Sequence, residues 1–101
     1  MAKTSSVEKN NHRRKLVADK AGKRKRLKDI IMDRAKPREE RFAAQMKLSE
    51  MPRNSSKVRI RNRCEVTGRA RGFYRKLRVC RNQLRELALQ GMIPGMTKSS
   101  W

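Results

Sequence analysis

The chain has 101 residues, and its 29 Lys and Arg residues outnumber 9 Asp and Glu residues to give a formal net charge of +20. Charged residues make up 38% of the sequence and aromatic residues 4%, so few apolar groups can offset the repulsion between positive charges. This composition excludes a conventional globular core and predicts a fold that is completed by a polyanionic partner, most favourably nucleic acid.

The first 36 residues form a basic arm, with thirteen basic residues, eight of them lysine, against four acids. Apolar residues recur in it at helical spacing, but too sparsely for a self-sufficient amphipathic face. They are Leu16, Val17, Leu27, Ile30 and Ile31. We expect the arm to be helical when bound and poorly ordered when free, with a break at Gly22 between two helical pieces. The alternative is a solvated tail that makes no contacts.

Residues 37–52 are predicted to form a middle helix, in which three basic residues are balanced by three acids. Pro37 suits the first helical position, and Pro52 is expected to end the helix at Met51. An apolar stripe at helical spacing is predicted to be a packing surface. Its members are Phe42, Ala43, Met46 and Leu48.

The segment from Pro52 to Arg63 is predicted to be extended, because turn-forming residues are followed by alternating apolar and basic side chains. Val58 and Ile60 would lie on one side of this strand, and Arg59 and Arg61 on the other. Such a strand could follow an RNA groove with its basic edge towards the phosphates.

A short final helix is predicted after the arginine-rich segment. Asn82 is expected to cap its N-terminus, and Gly91 is well placed as the residue just beyond its C-terminus. A basic tail of small residues follows and ends at Trp101.

Cys64 and Cys80 occupy two positions of the spacing C-x2-X-x12-C-x2-X, which is typical of a structural zinc knuckle. Thr67 and Gln83 stand at the other two positions, and both are poor zinc donors. The sole histidine, His12, is distant in the sequence. We predict a knuckle without metal, in which packing and hydrogen bonding replace the metal cross-link. A zinc-dependent fold is the alternative.

An arginine cluster surrounds this frame. From Arg53 to Arg85 there are twelve basic residues, ten of them arginine, and Glu65 is the sole acid. Arginine suits bidentate phosphate contacts and stacking on bases. For Phe73 we expect a place in the knuckle core, whereas core packing and base stacking are equally open for Tyr74. The pattern predicts a surface that binds RNA.

Other classes of protein find less support in the sequence. It has no acid pair, no Ser-His-Asp set and no glycine-rich phosphate loop, so we expect no enzyme activity. Neither an apolar leader nor a stretch near the ~20 residues of a membrane span is present, which predicts a cytoplasmic chain with free thiols. The rivals are a DNA-compacting protein, disfavoured by the knuckle with interleaved aromatics, and a membrane-surface peptide, disfavoured by the weak apolar face of the arm.

The motifs TGRARGFYRKL at residues 67–77 and CRNQLRELALQGMIPGMTKSSW at residues 80–101 resemble the universal small-subunit ribosomal protein S-fourteen family, in its longer, bacterial type. The resemblance implies binding to 16S-type rRNA in the head of the small subunit, a role in subunit assembly, and a position near the aminoacyl (A) site. It also implies contact with the third and tenth small-subunit proteins, with no membrane and no homo-oligomer. An organellar ribosome is the alternative location.

The family's shorter type carries four zinc cysteines, which the longer type has lost. Cys64 and Cys80 match the first and third of them, whereas Thr67 and Gln83 depart from the second and fourth. The resemblance therefore implies RNA binding without a cofactor.

The expected fold is small, mostly α-helical and extended, with a helical arm, a middle helix, a zinc-ribbon-like knuckle, a final helix and a tail. Its expected parts are residues 1–36, 37–52 and 53–101, the last of which forms one functional unit. The expected RNA-binding residues are Arg53, Arg59, Arg61, Arg63, Arg69, Arg71, Tyr74, Arg75, Lys76, Arg78, Arg81, Lys98 and Trp101.

Overall fold

The computed structural model describes residues 1–100. These residues form three α-helices and one two-stranded sheet, so the prediction of a mostly helical fold is confirmed. The elements are α1 (Thr4–Met32), α2 (Arg38–Glu50), β1 (Phe73–Tyr74), β2 (Val79–Cys80) and α3 (Arg81–Leu89).

The chain divides into two compact units, each with its own small core. One unit comprises Lys9–Ile60 and is called the helical unit below. The other comprises Met1–Glu8 together with the chain from Arg61 onward, and is called the knuckle unit. Within residues 1–100, no helix combines the length and hydropathy needed to cross a membrane.

The basic arm is one continuous helix, so the predicted break at Gly22 is wrong. α1 runs through this glycine, and a Cβ there would meet nothing within 4 Å. One glycine inside a helix costs only about 1 kcal/mol relative to alanine. Burial of Leu27 near the end of α1 helps to offset that cost.

A small apolar cluster joins α1 and α2 in the helical unit. It consists of the buried residues Leu27, Ala44 and Met51 and the half-buried residues Ile30, Ile31 and Leu48. The Nε of Arg41 on α2 donates a hydrogen bond of 2.9 Å to the carbonyl of Ile31. This bond gives a partner to one of the carbonyls that a helix C-terminus leaves unpaired.

The buried face of α2 differs from the predicted apolar stripe. The helix ends before Pro52 as predicted, and Leu48 packs as expected, but Phe42 and Met46 are 66% and 49% exposed. Ala44 lies at the centre of the buried face, and residues two positions apart do not share a helix face. Ala43 is exposed as well. The prediction placed the large side chains of Phe42 and Met46 on the buried face, whereas the close approach of the two helices leaves room there for the small side chain of Ala44.

The segment after α2 is not the predicted strand. It forms two single-turn 3-10 helices, Arg53–Ser55 and Lys57–Arg59. Ser55 is buried, and its Oγ accepts a hydrogen bond of 3.0 Å from Arg24 of α1 and donates one to the carbonyl of Pro52. These bonds hold the segment in tight turns against α1, and Val58 is left 92% exposed.

The knuckle unit contains the hairpin of β1 and β2, followed directly by α3. The strands are antiparallel, with Phe73 opposite Cys80 and Tyr74 opposite Val79. Cys80 is the N-cap residue of α3. The predicted cap Asn82 therefore lies inside the helix, because pairing of β2 extends the chain up to Cys80.

The end of α3 follows the prediction for Gly91. This glycine has a φ of +74°, and its N–H donates to the carbonyl of Ala88 at 3.1 Å. The N–H of Met92 donates to the carbonyl of Leu87 at 3.0 Å. These two bonds form a Schellman motif, which requires a left-handed residue at this position.

Replacing Gly22 by alanine should raise the helicity of the free chain and increase its free energy of unfolding by about 1 kcal/mol. The added Cβ meets nothing within 4 Å, and alanine fits a helical backbone. Circular dichroism and thermal unfolding measure both quantities.

The matched control is Gly91→Ala. Its Cβ also has open space, but its φ is positive, so this variant should be destabilised. Equal effects of the two substitutions would contradict the continuous helix.

Candidate nucleic-acid interface

The knuckle is built around two buried thiols. Cys64 and Cys80 are 3% and 1% exposed, and together with Val79 they form the buried cluster of this unit. Leu84 and Leu87 of α3 pack against the cluster. Phe73, which was expected in this core, is half-buried and lies outside the cluster.

A tight turn follows the first thiol. The N–H of Gly68 donates to the carbonyl of Cys64 at 2.9 Å, and Gly68 has a φ of +71°. A Cβ on Gly68 would lie 2.8 Å from Cγ2 of Val7, so the N-terminal segment packs directly on this turn. The N–H of Ala2 completes the contact by donating to the carbonyl of Thr67 at 3.2 Å.

Thr67, which stands at the second ligand position of the frame, connects the two sulfur atoms. Its Oγ1 lies 3.7 Å from Sγ of Cys80, and its hydroxyl also hydrogen bonds to the thiol of Cys64. One hydroxyl can do both, because it has a single donor and two acceptor sites. It can therefore donate to Cys64 while it accepts from the S–H of Cys80.

The environment of Cys64 favours its thiolate form. Burial raises the pKa of the Cys64 thiol, but hydrogen bonds from the Thr67 side chain and from the N–H groups of Thr67, Cys80 and Val66 outweigh burial. The pKa is lowered from 9.0 to about 7. Backbone N–H groups that converge on a sulfur stabilise negative charge there, as they do at a metal-bound thiolate.

The donors of the frame do not fit a four-ligand zinc site. Gln83 donates instead to Glu86 at 2.8 Å on the exposed side of α3. Within the part of the chain that the structure describes, no group of three or more His, Cys, Asp or Glu residues could hold a metal ion. Two thiols and a hydroxyl are a poor donor set for structural zinc.

Two of the predicted RNA-binding arginines are partly built into the knuckle. Arg63 and Arg69 are half-buried. The NH1 of Arg63 donates to the carbonyl of Gly68 at 3.0 Å, across the turn. The carbonyl of Arg69 accepts from the N–H of Cys64 at 2.9 Å. The guanidinium of Arg63 therefore contributes to the shape of the turn as well as to its charge.

The other predicted cations of this unit are exposed. They are Arg61, Arg71, Arg75, Lys76, Arg78, Arg81 and Lys98. Arg78 lies in the turn between the strands with a φ of +55°, and its NH1 is 3.4 Å from Glu65. Both side chains of this ion pair are well exposed, so it contributes little to stability.

The remaining predicted residues lie elsewhere. Arg53 and Arg59 belong to the helical unit, where both are exposed. Tyr74 is in the knuckle unit and is 49% exposed. Trp101 lies outside the described residues.

The predicted set omitted exposed cations that line two grooves of the structure. Arg85 lies one turn beyond Arg81 on α3, and the i, i+4 spacing of the two arginines is a signal that could have identified it. In the helical unit, Lys20, Lys23 and Lys47 line an open groove of about 270 Å³.

The chain is mostly helical, and its knuckle exposes many guanidinium groups with one acid among them. This combination is typical of small basic proteins that bind nucleic acid. The family model described as "Ribosomal protein S14p/S29e" matches residues 47–100. The chain belongs to this family, and it is a ribosomal protein of the small subunit. The family resemblance seen in the sequence is thereby confirmed.

Curated relatives match over their whole length. The chain is 66% identical to the small ribosomal subunit protein uS14 of Chelativorans sp. (strain BNC1), with 100% of both chains covered. It is 66% identical to the protein of that name from Mesorhizobium japonicum and 67% identical to that from Rhodospirillum centenum, with the same coverage.

Replacing Thr67 by valine should raise the pKa of Cys64 from about 7 towards 9.0, because the variant loses the hydroxyl that donates to the thiolate. The 13Cβ chemical shift of Cys64, followed against pH, reports this pKa. Thr97→Val, at an exposed threonine, is the control and should leave it unchanged.

The same pKa shift makes stability depend on pH. Because the pKa of Cys64 is lower in the folded chain than in the unfolded chain, its thiolate stabilises the fold at high pH, and this stability is lost as the pH falls through about 7. The free energy of unfolding should rise by up to about 2 kcal/mol between these two pKa values, and by less in Thr67→Val. A pH profile that is identical in both chains would refute the role of Thr67.

Proposed function

We propose that the chain is a structural constituent of the small ribosomal subunit that binds rRNA in the head, is needed for subunit assembly, and shapes the RNA near the aminoacyl site. The observation that carries the proposal is the surface of the knuckle. Its exposed cations surround two buried thiols, and Glu65 is the only acid between Arg53 and Arg85. Such a surface is costly unless phosphates neutralise it.

The expected mode of binding is recognition of RNA shape rather than base sequence. Guanidinium groups on a rigid knuckle make bidentate contacts to phosphates at fixed separations. Phosphate contacts set register and orientation, and they carry no base information directly. The knuckle would therefore fit a place where RNA strands converge and would hold them apart at a set distance.

The position within the subunit rests on family membership. By resemblance, the third and tenth small-subunit proteins are the expected protein neighbours, and the chain is expected in the cytoplasm as part of the ribosome. The role is architectural, and we propose no catalytic activity. The expected RNA-binding residues are those predicted from the sequence, with Arg85 added.

Binding to a fragment of small-subunit rRNA that contains the head should weaken steeply with salt, because each neutralised phosphate releases counterions. Arg71→Gln should lower the affinity about fivefold and reduce the slope of log affinity against log salt by about one. Filter binding or fluorescence anisotropy at several salt concentrations measures both values.

Arg38→Gln is the matched control, because it makes the same charge change at an exposed arginine of the charge-balanced α2. It should leave the slope nearly unchanged. Affinity of the native chain that does not vary with salt would overturn the proposed function.

A further inference from the structure

The knuckle unit contains a groove of about 410 Å³ between β1, α3 and the start of the C-terminal tail. Tyr74, which is 49% exposed, is among the residues that line it. Leu84 of α3 and Met96 of the tail, which is 43% exposed, also line it. The chain therefore leaves one aromatic and several apolar side chains partly exposed in a concave place, although it has few apolar residues.

The charges around this groove have one sign. Arg81, Arg85 and Lys98 line it, and none of the lining residues within 1–100 is acidic. Arg81 and Arg85 lie one turn apart on α3 and are both exposed. Glu86, the acid of this helix, accepts a hydrogen bond from the side chain of Gln83. The groove thus combines aromatic and apolar side chains with three cationic ones.

These features point to an occupant with a flat apolar body and anionic ends. We propose that the groove holds one unstacked nucleotide of single-stranded RNA, with its base against the ring of Tyr74 and its flanking phosphates on Arg81, Arg85 and Lys98. The volume lies within the range of about 300–1,000 Å³ that is typical of pockets for small ligands, which suits a single nucleotide. Aromatic rings with adjacent arginines are a common means of holding splayed RNA bases.

This inference rests on the proposed function, because it names the RNA element that one part of the surface binds. It adds a different kind of contact. The exposed arginines around the knuckle bind the backbone, whereas the groove binds a base that has left its stack. A surface that holds both can stabilise a bulged or looped nucleotide within folded rRNA.

Two substitutions at Tyr74 distinguish stacking of a base on the aromatic ring from a contact that needs only apolar volume. Tyr74→Phe keeps the aromatic face, and its affinity for the head fragment of rRNA should stay within about twofold of the native chain. Tyr74→Leu keeps apolar volume but loses the ring, and its affinity should fall about tenfold. Phe42→Leu, at an exposed aromatic residue of the helical unit, is the control and should bind as the native chain does.

Chemical probing of the bases gives a second readout on the same complexes. A nucleotide of the RNA should be protected by the native chain and by Tyr74→Phe, and become reactive with Tyr74→Leu, while the other protected positions stay unchanged. The 13Cβ shift of Cys64 in each variant reports whether the knuckle is still folded, and a folded Tyr74→Leu variant makes the comparison valid.

The outcomes distinguish the inference from the proposed function. If the native chain binds RNA with a steep salt dependence but Tyr74→Leu has native affinity and an unchanged base footprint, the groove does not hold a nucleotide. If Tyr74→Leu keeps its affinity for RNA but loses a neighbouring ribosomal protein from assembled subunits, the groove is a protein-binding site and the inference is wrong. Failure of the native chain to bind RNA overturns the proposed function itself.

Discussion

The knuckle depends on the hydroxyl of Thr67, which lies 3.7 Å from Sγ of Cys80 and, by hydrogen bonding, lowers the pKa of the Cys64 thiol. This hydroxyl connects the turn after Cys64 to the point where β2 becomes α3. Cys80 is both the last residue of β2 and the N-cap of α3, so the position of its sulfur also sets the start of the helix. A polar side chain and converging N–H groups thus connect the two halves of the knuckle, as a metal ion does in a four-ligand site.

Repulsion between positive charges limits what else can stabilise this chain. The net charge is +20, and within residues 1–100 each unit has only a handful of buried residues. The structure compensates through contacts that need little apolar surface. Arg41 pairs with a carbonyl at the end of α1, Arg24 pairs with the buried Ser55, and Arg63 spans its own turn. Arginine is suited to these places, because it can donate several hydrogen bonds while its charge stays near solvent.

Arginine residues therefore fall into two groups that the sequence does not distinguish. Some, such as Arg63, have side chains that contribute to the architecture and are half-buried. Others, such as Arg71 and Arg75, project from the knuckle and are exposed. The knuckle sets the spacing of the exposed group, so loss of the thiol–hydroxyl contact would change the separations between these cations without removing any of them. This coupling explains how a chain with so small a core can present charges at defined separations.

Several features could be predicted from residue type and short-range spacing in the sequence. The charge surplus, the frame of two cysteines, the end of α2 at Pro52 and the left-handed Gly91 all depend on residue type or short spacing, and the structure shows each of them. The family was also recognisable from the last third of the chain, where its motifs are most specific.

The predictions that were wrong, and the features that were not predicted, all involve contacts between residues that are distant in the sequence. Only the tertiary structure decided that α1 passes through Gly22, because packing of its end on α2 outweighs one glycine. Likewise, Arg24 binds Ser55 and keeps the following segment in turns, and close helix contact places Ala44 rather than Phe42 on the buried face of α2. The groove beside Tyr74 arises from strand, helix and tail together. Helix and strand propensities and residue spacing describe a residue and its near neighbours. The features of this paragraph depend instead on which side chain of another element packs against that residue.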